Sequence, residues 1–449
     1  MNDINCIAQH VKRASIALLA FLAALSCKDN EPGPGNPSMN PKTEFASAHF
    51  GDSLSFTVAA ADPDAPLSTL KARLFFGEEQ VSETVIRTKT NADYSGKIFV
   101  PYLAGVPDAT ATLKLTLQNI RFTIVEKEYA LPLTRPDFPY LTLVADDGTE
   151  YRMEKISTHN YSVTNYFPAK LKARVKAPKT GEQGNELVFG WENGTVTRDG
   201  SGSIPFSNPQ TGLYAVAFNT YSYAASPFVN IMLNGEEMTM IDDNSYRIDK
   251  TLAKNQSLKF EGIADAEDWW IDPDFFAQSD DGSLAFTAEG GDYRIIADFR
   301  LKYFRVEAMS GESPAVLQAD GSGAVWIIGT NAGKPSLAAN ETGWNPDNAL
   351  CMACVAPKKY QITLVGGKSI STDAINFKFF HQKGWGGEFT HEQLSTSSSL
   401  IFVGSGGESG RDPGNLGIVE GKSLDAQGIY VFTVDLSAGI DKAVLTISG

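Results

Sequence analysis

Between residues 45 and 136 apolar and polar side chains alternate in short runs, SLSFTVAA, KARLFF, GKIFVPYL, ATLKLTL and RFTIVEKEYALPL, separated by turn residues. A period of two over so few positions belongs to a strand, whose successive side chains point to opposite faces, and not to a helix repeating every 3.6 residues. Runs arriving about every ten residues predict an antiparallel sandwich of immunoglobulin type over 44–136. In that block Asp62-Pro63-Asp64 reads as an ordinary turn or as a calcium loop.

The strand-and-turn texture continues to the C-terminus, and the chain reads as all-β, a tandem of immunoglobulin-like β-sandwich domains. A second β-rich block covers 137–227 and is crowded with aromatics, among them Tyr161, Phe167, Trp191, Tyr214 and Phe218. A third covers 228–309, closes with the hairpin GGDYRIIADFRLKYFRVEAM, and stands alone or forms one unit with the second. Residues 310–323, punctuated by Gly, Ser and Pro, read as a linker. The last block, 324–449, is again strand and turn.

The N-terminus is different. Lys12 and Arg13 precede an unbroken weakly polar to apolar segment from Ala14 to Leu25, followed by Ser26 and Cys27. That is the plan of a secretory signal, and the segment is too short to span a bilayer. A signal ending in Cys resembles the bacterial lipobox, which implies lipidation of Cys27 and a signal peptide over 1–27. The charged residues after it resemble the tag that sends lipoproteins of Bacteroidota to the outer face of the outer membrane. Residues 28–43, rich in Pro and Gly, read as a flexible tether.

Net charge is -15 over 449 residues, which makes nucleic acid and anionic lipid poor partners and leaves the lipid anchor as the membrane attachment. Neutral polymers such as glycans, which need aromatic faces and hydrogen bonds more than charge, remain compatible. Of four cysteines, Cys6 and Cys27 lie in the signal. Cys351 and Cys354 would lie about 10 Å apart in a strand, too far for a disulfide, and read as buried free thiols. No metal site and no cofactor is expected, because the histidines are scattered and no second Cys or His pair completes a zinc set.

In the last block, Val325-Trp326-Ile327-Ile328-Gly329, Gly343-Trp344-Asn345-Pro346, Asn376-Phe377-Lys378-Phe379, Gly384-Trp385-Gly386 and GIYVFTVDL from Gly428 occur in that order. Together they resemble the carbohydrate-binding domains of SusE and SusF, outer-membrane lipoproteins with several β-sandwich domains. The resemblance implies a surface protein that captures polysaccharide or oligosaccharide and delivers it to a SusC/SusD-type transporter.

The residues themselves point to a binding surface. Alternation puts Ile375, Phe377, Phe379 and His381 on one strand face, and Trp326 within its strand is core. The next loop holds Trp385 between glycines that offer no side chains to bury it, so its indole is free to stack on a pyranose, with Lys383 or His381 hydrogen-bonding hydroxyls. The long loop 406–417 adds Arg411 and Asn415 as candidate sugar ligands. Trp344, in its Gly-Trp-Asn-Pro turn, reads as structural or as a further stacking residue. Trp269 and Trp270 form a second candidate glycan site, and Asp272 and Asp274 beside them read as a turn rather than as a glycosidase pair.

The function expected is therefore that of a non-catalytic cell-surface glycan-binding lipoprotein. An adhesion or scaffold protein is the alternative, and would show an exposed apolar patch rather than aromatic platforms. A surface glycoside hydrolase would need a catalytic domain with a deep cleft, for which these blocks look too small.

Overall fold

The computed structural model describes residues 33–280, 282–407 and 410–449. The expected signal peptide, Cys27 and the start of the expected tether lie outside the described residues. Strands dominate, and the helices are short turns such as Leu337–Asn340 and Pro346–Asn348. Among the described residues no helix is long and apolar enough to cross a membrane. Two compact units are present, one comprising residues up to 163 with Ala173–Ile204 and Ala217–Ala225, the other Thr164–Lys172, Pro205–Val216 and Ser226–Gly449. The boundary runs through the block expected over 137–227.

In the first unit the opening block is a two-sheet sandwich. One sheet holds Ser38–Pro41, Ser53–Ala61 and Ala92–Phe99, the other Ala48–His49, Ile124–Thr134, Ala109–Asn119, Leu67–Phe76 and Glu79–Arg87. All pairs are antiparallel except Ala48–His49 with Ile124–Thr134. The first two described strands thus lie in different sheets of the sandwich. Alternation does what the sequence implied: Leu113, Leu115 and Leu117 are fully buried, each worth about 1.5–3 kcal/mol relative to exposure. Gly96 is required in the facing sheet, because a Cβ there would meet the Phe56 ring at 2.9 Å and Ile86 at 2.8 Å.

One expectation is corrected at this end, and an open choice is decided. Residues 33–43 are not a free tether, since Ser38–Pro41 pairs in register with residues 58–61 of the strand Ser53–Ala61. The Asp62 loop is a closed turn, not an open cation loop. Its Oδ1 accepts the N–H groups of Asn36, Asp64 and Ala65, and its Oδ2 the Asn119 amide at 2.9 Å. Burial works against that carboxylate, yet the Asn119 amide and the three backbone donors hold it at about 2.

The second block contributes to this unit Thr195–Arg198, Leu187–Glu192, residues 173–177, Tyr140–Ala145, Glu150–Ser157 and residues 160–163, neighbours in that order. Within this unit the buried Arg135 guanidinium is caged by carbonyls of Val106 and Thr220 and by the ring faces of Phe50, Tyr102 and Tyr221.

In the second unit the third block builds a sheet ordered Thr239–Asp242, Ser245–Leu252, Gly291–Asp298, Tyr303–Ser310, Ser313–Pro314. The last block is a sandwich of two sheets. One is organised on Trp326–Gly333, with Glu341–Gly343 and Leu350–Cys351 along one edge and Asn376–Phe380 on the other. The second runs Ala353–Ala356, Lys359–Val365, Ile429–Asp435, Ala443–Ser448, Leu394–Thr396. Trp326–Gly333 is buried on both faces. Val325 and Ile327 join the sandwich core with Ile362, Phe377 and Phe432. Trp326 and Ile328 join the core of the third block with Phe286, Ile295 and Phe304.

That shared core is why residues 310–323 are not a linker. Ala315 and Leu317 are buried. The Ala315 carbonyl accepts the Trp326 indole N–H at 3.0 Å, and the Leu317 N–H donates to the His381 carbonyl at 2.7 Å. A segment with this composition looks loose only until its backbone groups find partners.

Candidate functional site

Trp344 follows the strand Glu341–Gly343, and Trp385 lies in the loop after Asn376–Phe380. These two strands flank Trp326–Gly333 on opposite edges, and the side chains that leave them converge. The indole centres are 6.3 Å apart with planes inclined by 23°. Trp344 is 39% and Trp385 54% exposed, whereas Trp326 and Trp269 are buried. Two large, near-parallel apolar faces left in water at one place are uncommon enough to mark a contact surface.

The loop geometry explains the exposure. Gly386 and Gly387 sit at φ 90° and 66°, a region that excludes most L residues. A Cβ on Gly387 would also press within 3.0 Å of His381. The tight backbone lifts Trp385 out, while the buried Phe380 ring supports it edge-on at 6.0 Å. The Gln382 amide donates to the Trp385 carbonyl and pins the loop.

Of the four polar candidates, Lys383, Arg411 and Asn415 give their donors to the scaffold, and His381 is packed into it with its Nε2 buried and unpaired. Lys383 donates to Glu307 at 2.8 Å, a carboxylate almost fully buried, and so ties the Trp385 loop to the third block. The His381 ring packs edge-on against Phe389 at 4.4 Å, and burial lowers its basicity below the usual 6.5. Its backbone N–H and carbonyl close the loop base through Gly387 and Leu317. Arg411 donates to the Ile375 carbonyl at 2.6 Å and to Asn376 Oδ1 at 3.0 Å. Asn415, 4% exposed, donates to the same Asn376 oxygen at 2.9 Å. These residues brace the strand Asn376–Phe380 from behind.

The second candidate is closed. Trp269 is buried against Phe299 and Phe304, with ring centres 5.0 and 4.7 Å away. Trp270, half-buried, packs on Tyr303 and lies 5.8 Å from the Lys334 ammonium. Beside it Lys334 Nζ bridges Asp272 (2.7 and 2.8 Å) and Asp274 (2.8 Å), all three buried. Asp274 also accepts from Gln361, the Thr363 hydroxyl and the Thr363 N–H. Burial opposes its charge, but Lys334 and these donors hold it at about 2. Burial pushes Asp272 upward, and the two carboxylates outweigh burial in raising Lys334. With both carboxylates locked on one ammonium, the pair reads as an internal weld and not as acid and base flanking a bond. The sequence reading foresaw the Asp-Pro-Asp turn but not Lys334, which lies 60 residues beyond Asp274.

A cavity of about 370 Å³ lies in the same unit, lined by Glu289, Tyr293, Asp320, Cys354 and Tyr360. Several of its polar groups are already bonded within the protein, Tyr360 to the Gly321 carbonyl, Tyr293 to that of Glu289, Asp320 to Ser322 and Glu289 to Lys254. Cys351 and Cys354 are free thiols, the first buried. Burial pushes them up to about 12 and about 11, so neither is a ready nucleophile.

Fold and site together define an all-β chain of tandem domains that displays a two-indole platform on its last sandwich. In sequence it matches three domains of unknown function in tandem: DUF5016 over residues 10–126, DUF5125 over 130–317 and DUF5121 over 320–437. No curated protein matches the chain. Among solved structures it is similar to a DUF4784 family protein from Bacteroides caccae, at 11% identity over 79% of this chain and 95% of that one, with a TM-score of 0.15. A superposition that poor carries no argument about fold or activity. The DUF5125 match spans the second and third blocks as one stretch, and the DUF5121 match begins just before the last block.

Proposed function

We propose that the chain is a non-catalytic glycan-binding lipoprotein, anchored through Cys27 to the outer face of the outer membrane and serving a SusC/SusD-type uptake system. The observation that supports this reading best is the exposed, near-parallel pair Trp344 and Trp385. A pyranose ring has an apolar face of C–H groups that stacks on an indole, and two adjacent indoles offer room for consecutive sugars of a chain. The acidic surface favours neutral polysaccharides over anionic ones. One platform binds weakly, and many copies anchored on one surface strengthen the hold on a polymer.

The motifs of the last block that resemble SusE and SusF, and the lipobox-like signal, agree with this reading. The experiment is affinity electrophoresis of the mature protein and of Trp344→Ala and Trp385→Ala through gels holding a panel of polysaccharides. Retardation by a glycan, reduced in both variants, is the expected result. No retardation of the folded wild type by any glycan, or equal retardation of the variants, overturns it.

A further inference from the structure

At one end of the first sandwich the turn between Ala109–Asn119 and Ile124–Thr134 carries Ile120, Phe122 and Ile124, which are 55%, 82% and 54% exposed. Three large apolar residues at alternate positions of one turn are not what a water-facing hairpin tip needs. Phe122 in addition has φ 65°, a left-handed conformation that Asn or Gly adopts more readily than a residue with a bulky side chain. The turn is closed by backbone and Asn119, whose Oδ1 accepts the N–H groups of Arg121 and Thr123 and whose carbonyl accepts that of Phe122, so closure makes no use of the Phe122 side chain.

The same turn grips the beginning of the described chain. Asn119 Nδ2 donates to the Pro34 carbonyl at 2.8 Å, the Thr123 hydroxyl donates to that same oxygen, and the Arg121 guanidinium to the Gly33 carbonyl. Gly33 follows Cys27 closely in the sequence, and so short a stretch spans at most about 20 Å when fully extended. An acyl chain on Cys27 therefore places the tip within that reach of the bilayer.

We infer that Ile120, Phe122 and Ile124 form an apolar foot that enters the lipid surface beside the anchor; this rests on the lipoprotein reading above. The foot fixes which end of the first sandwich faces the membrane. Its occupant is lipid and not a protein partner, because the anchor brings lipid to this tip.

The test uses the full acylated chain in vesicles of the zwitterionic lipids phosphatidylethanolamine and phosphatidylcholine containing a doxyl-lipid quencher. An environment-sensitive fluorophore is attached at Phe122→Cys or, as control, at Glu78→Cys. Glu78 is exposed and lies past the far end of the strand Leu67–Phe76, whose start pairs with Asn119. Quenching severalfold stronger at 122 than at 78, with a blue-shifted emission at 122, is expected. Equal quenching in a vesicle-bound, acylated protein overturns the foot and leaves the anchor standing; a tip reserved for a protein partner would give that same result. A chain whose Cys27 peptide shows no acyl mass and which fails to attach to vesicles overturns the anchor and the foot together.

Discussion

Lys383 of the Trp385 loop donates to Glu307 of the preceding block at 2.8 Å, although 76 residues separate them. The bond ties the loop that carries the exposed indole to that block and engages the Lys383 ammonium. On the glycan-binding reading, direct contact at this site falls to the two rings, and Lys383 acts by positioning the loop.

If the two rings bind as one platform, Trp344→Ala and Trp385→Ala each weaken glycan affinity about tenfold, or about 1.4 kcal/mol. The double variant loses less than the sum, because each ring touches the other. Calorimetric titration of the retained glycan checks this, with unchanged melting temperatures showing that the sandwich is intact.

Lys383→Met has a different signature. It leaves Glu307 with only the longer 3.4 Å contact to Arg305 and costs about 1–3 kcal/mol in stability. Its effect on affinity is smaller than that of Trp385→Ala. Thermal unfolding and titration of the same sample separate the two.

Lys334→Met leaves two buried carboxylates without their cation and destabilises the second unit by about 3–5 kcal/mol. Adding Asp272→Asn to that variant recovers part of the loss, since one of the stranded charges is gone. Chemical denaturation of the three proteins gives the order wild type, double variant, single variant.

Three carboxylates are held at about 2 against an ordinary 3.8. Asp62 and Asp274 are held as described above, and Asp435 by Lys359 and Ser437. A folded-state value below the unfolded one contributes stability that is complete above the unfolded value and is lost as pH falls through the folded one. The share of stability that these three carboxylates contribute is therefore lost between about pH 4 and pH 2, and the melting temperature falls across that range. Asp62→Asn gives a shallower fall, measured by calorimetry across that range.

The thiols give a direct check of the shared core. Cys351 and Cys354, raised by burial, react with a disulfide reagent at pH 8 far more slowly in the native protein than in denaturant. Rapid native reaction of both would show that the core around Trp326 opens readily.

Some of this was legible from residues alone. Alternation in SLSFTVAA or NFKFF states which side chains go inward, because a strand's two faces follow from its backbone geometry whatever it pairs with. Phe377 and Phe379 are buried as that rule requires, and so is Trp326. Glycines around Trp385 announced an exposed indole for an equally local reason, the absence of neighbouring side chains.

What only the tertiary structure decided is where polar groups and irregular segments find partners. Whether Trp344 is structural or part of a surface depended on Trp385 arriving beside it. Lys383, His381, Arg411 and Asn415 looked like ligands, yet Glu307, Phe389 and Asn376 claim them. Residues 33–43 and 310–323 looked loose, yet Ala61, Pro34's captors on the 119–123 turn, and Trp326 give their backbones bonds. A strand's faces are a property of its own few residues, whereas a hydrogen-bond partner is chosen by whatever distant segment the fold brings within 3 Å.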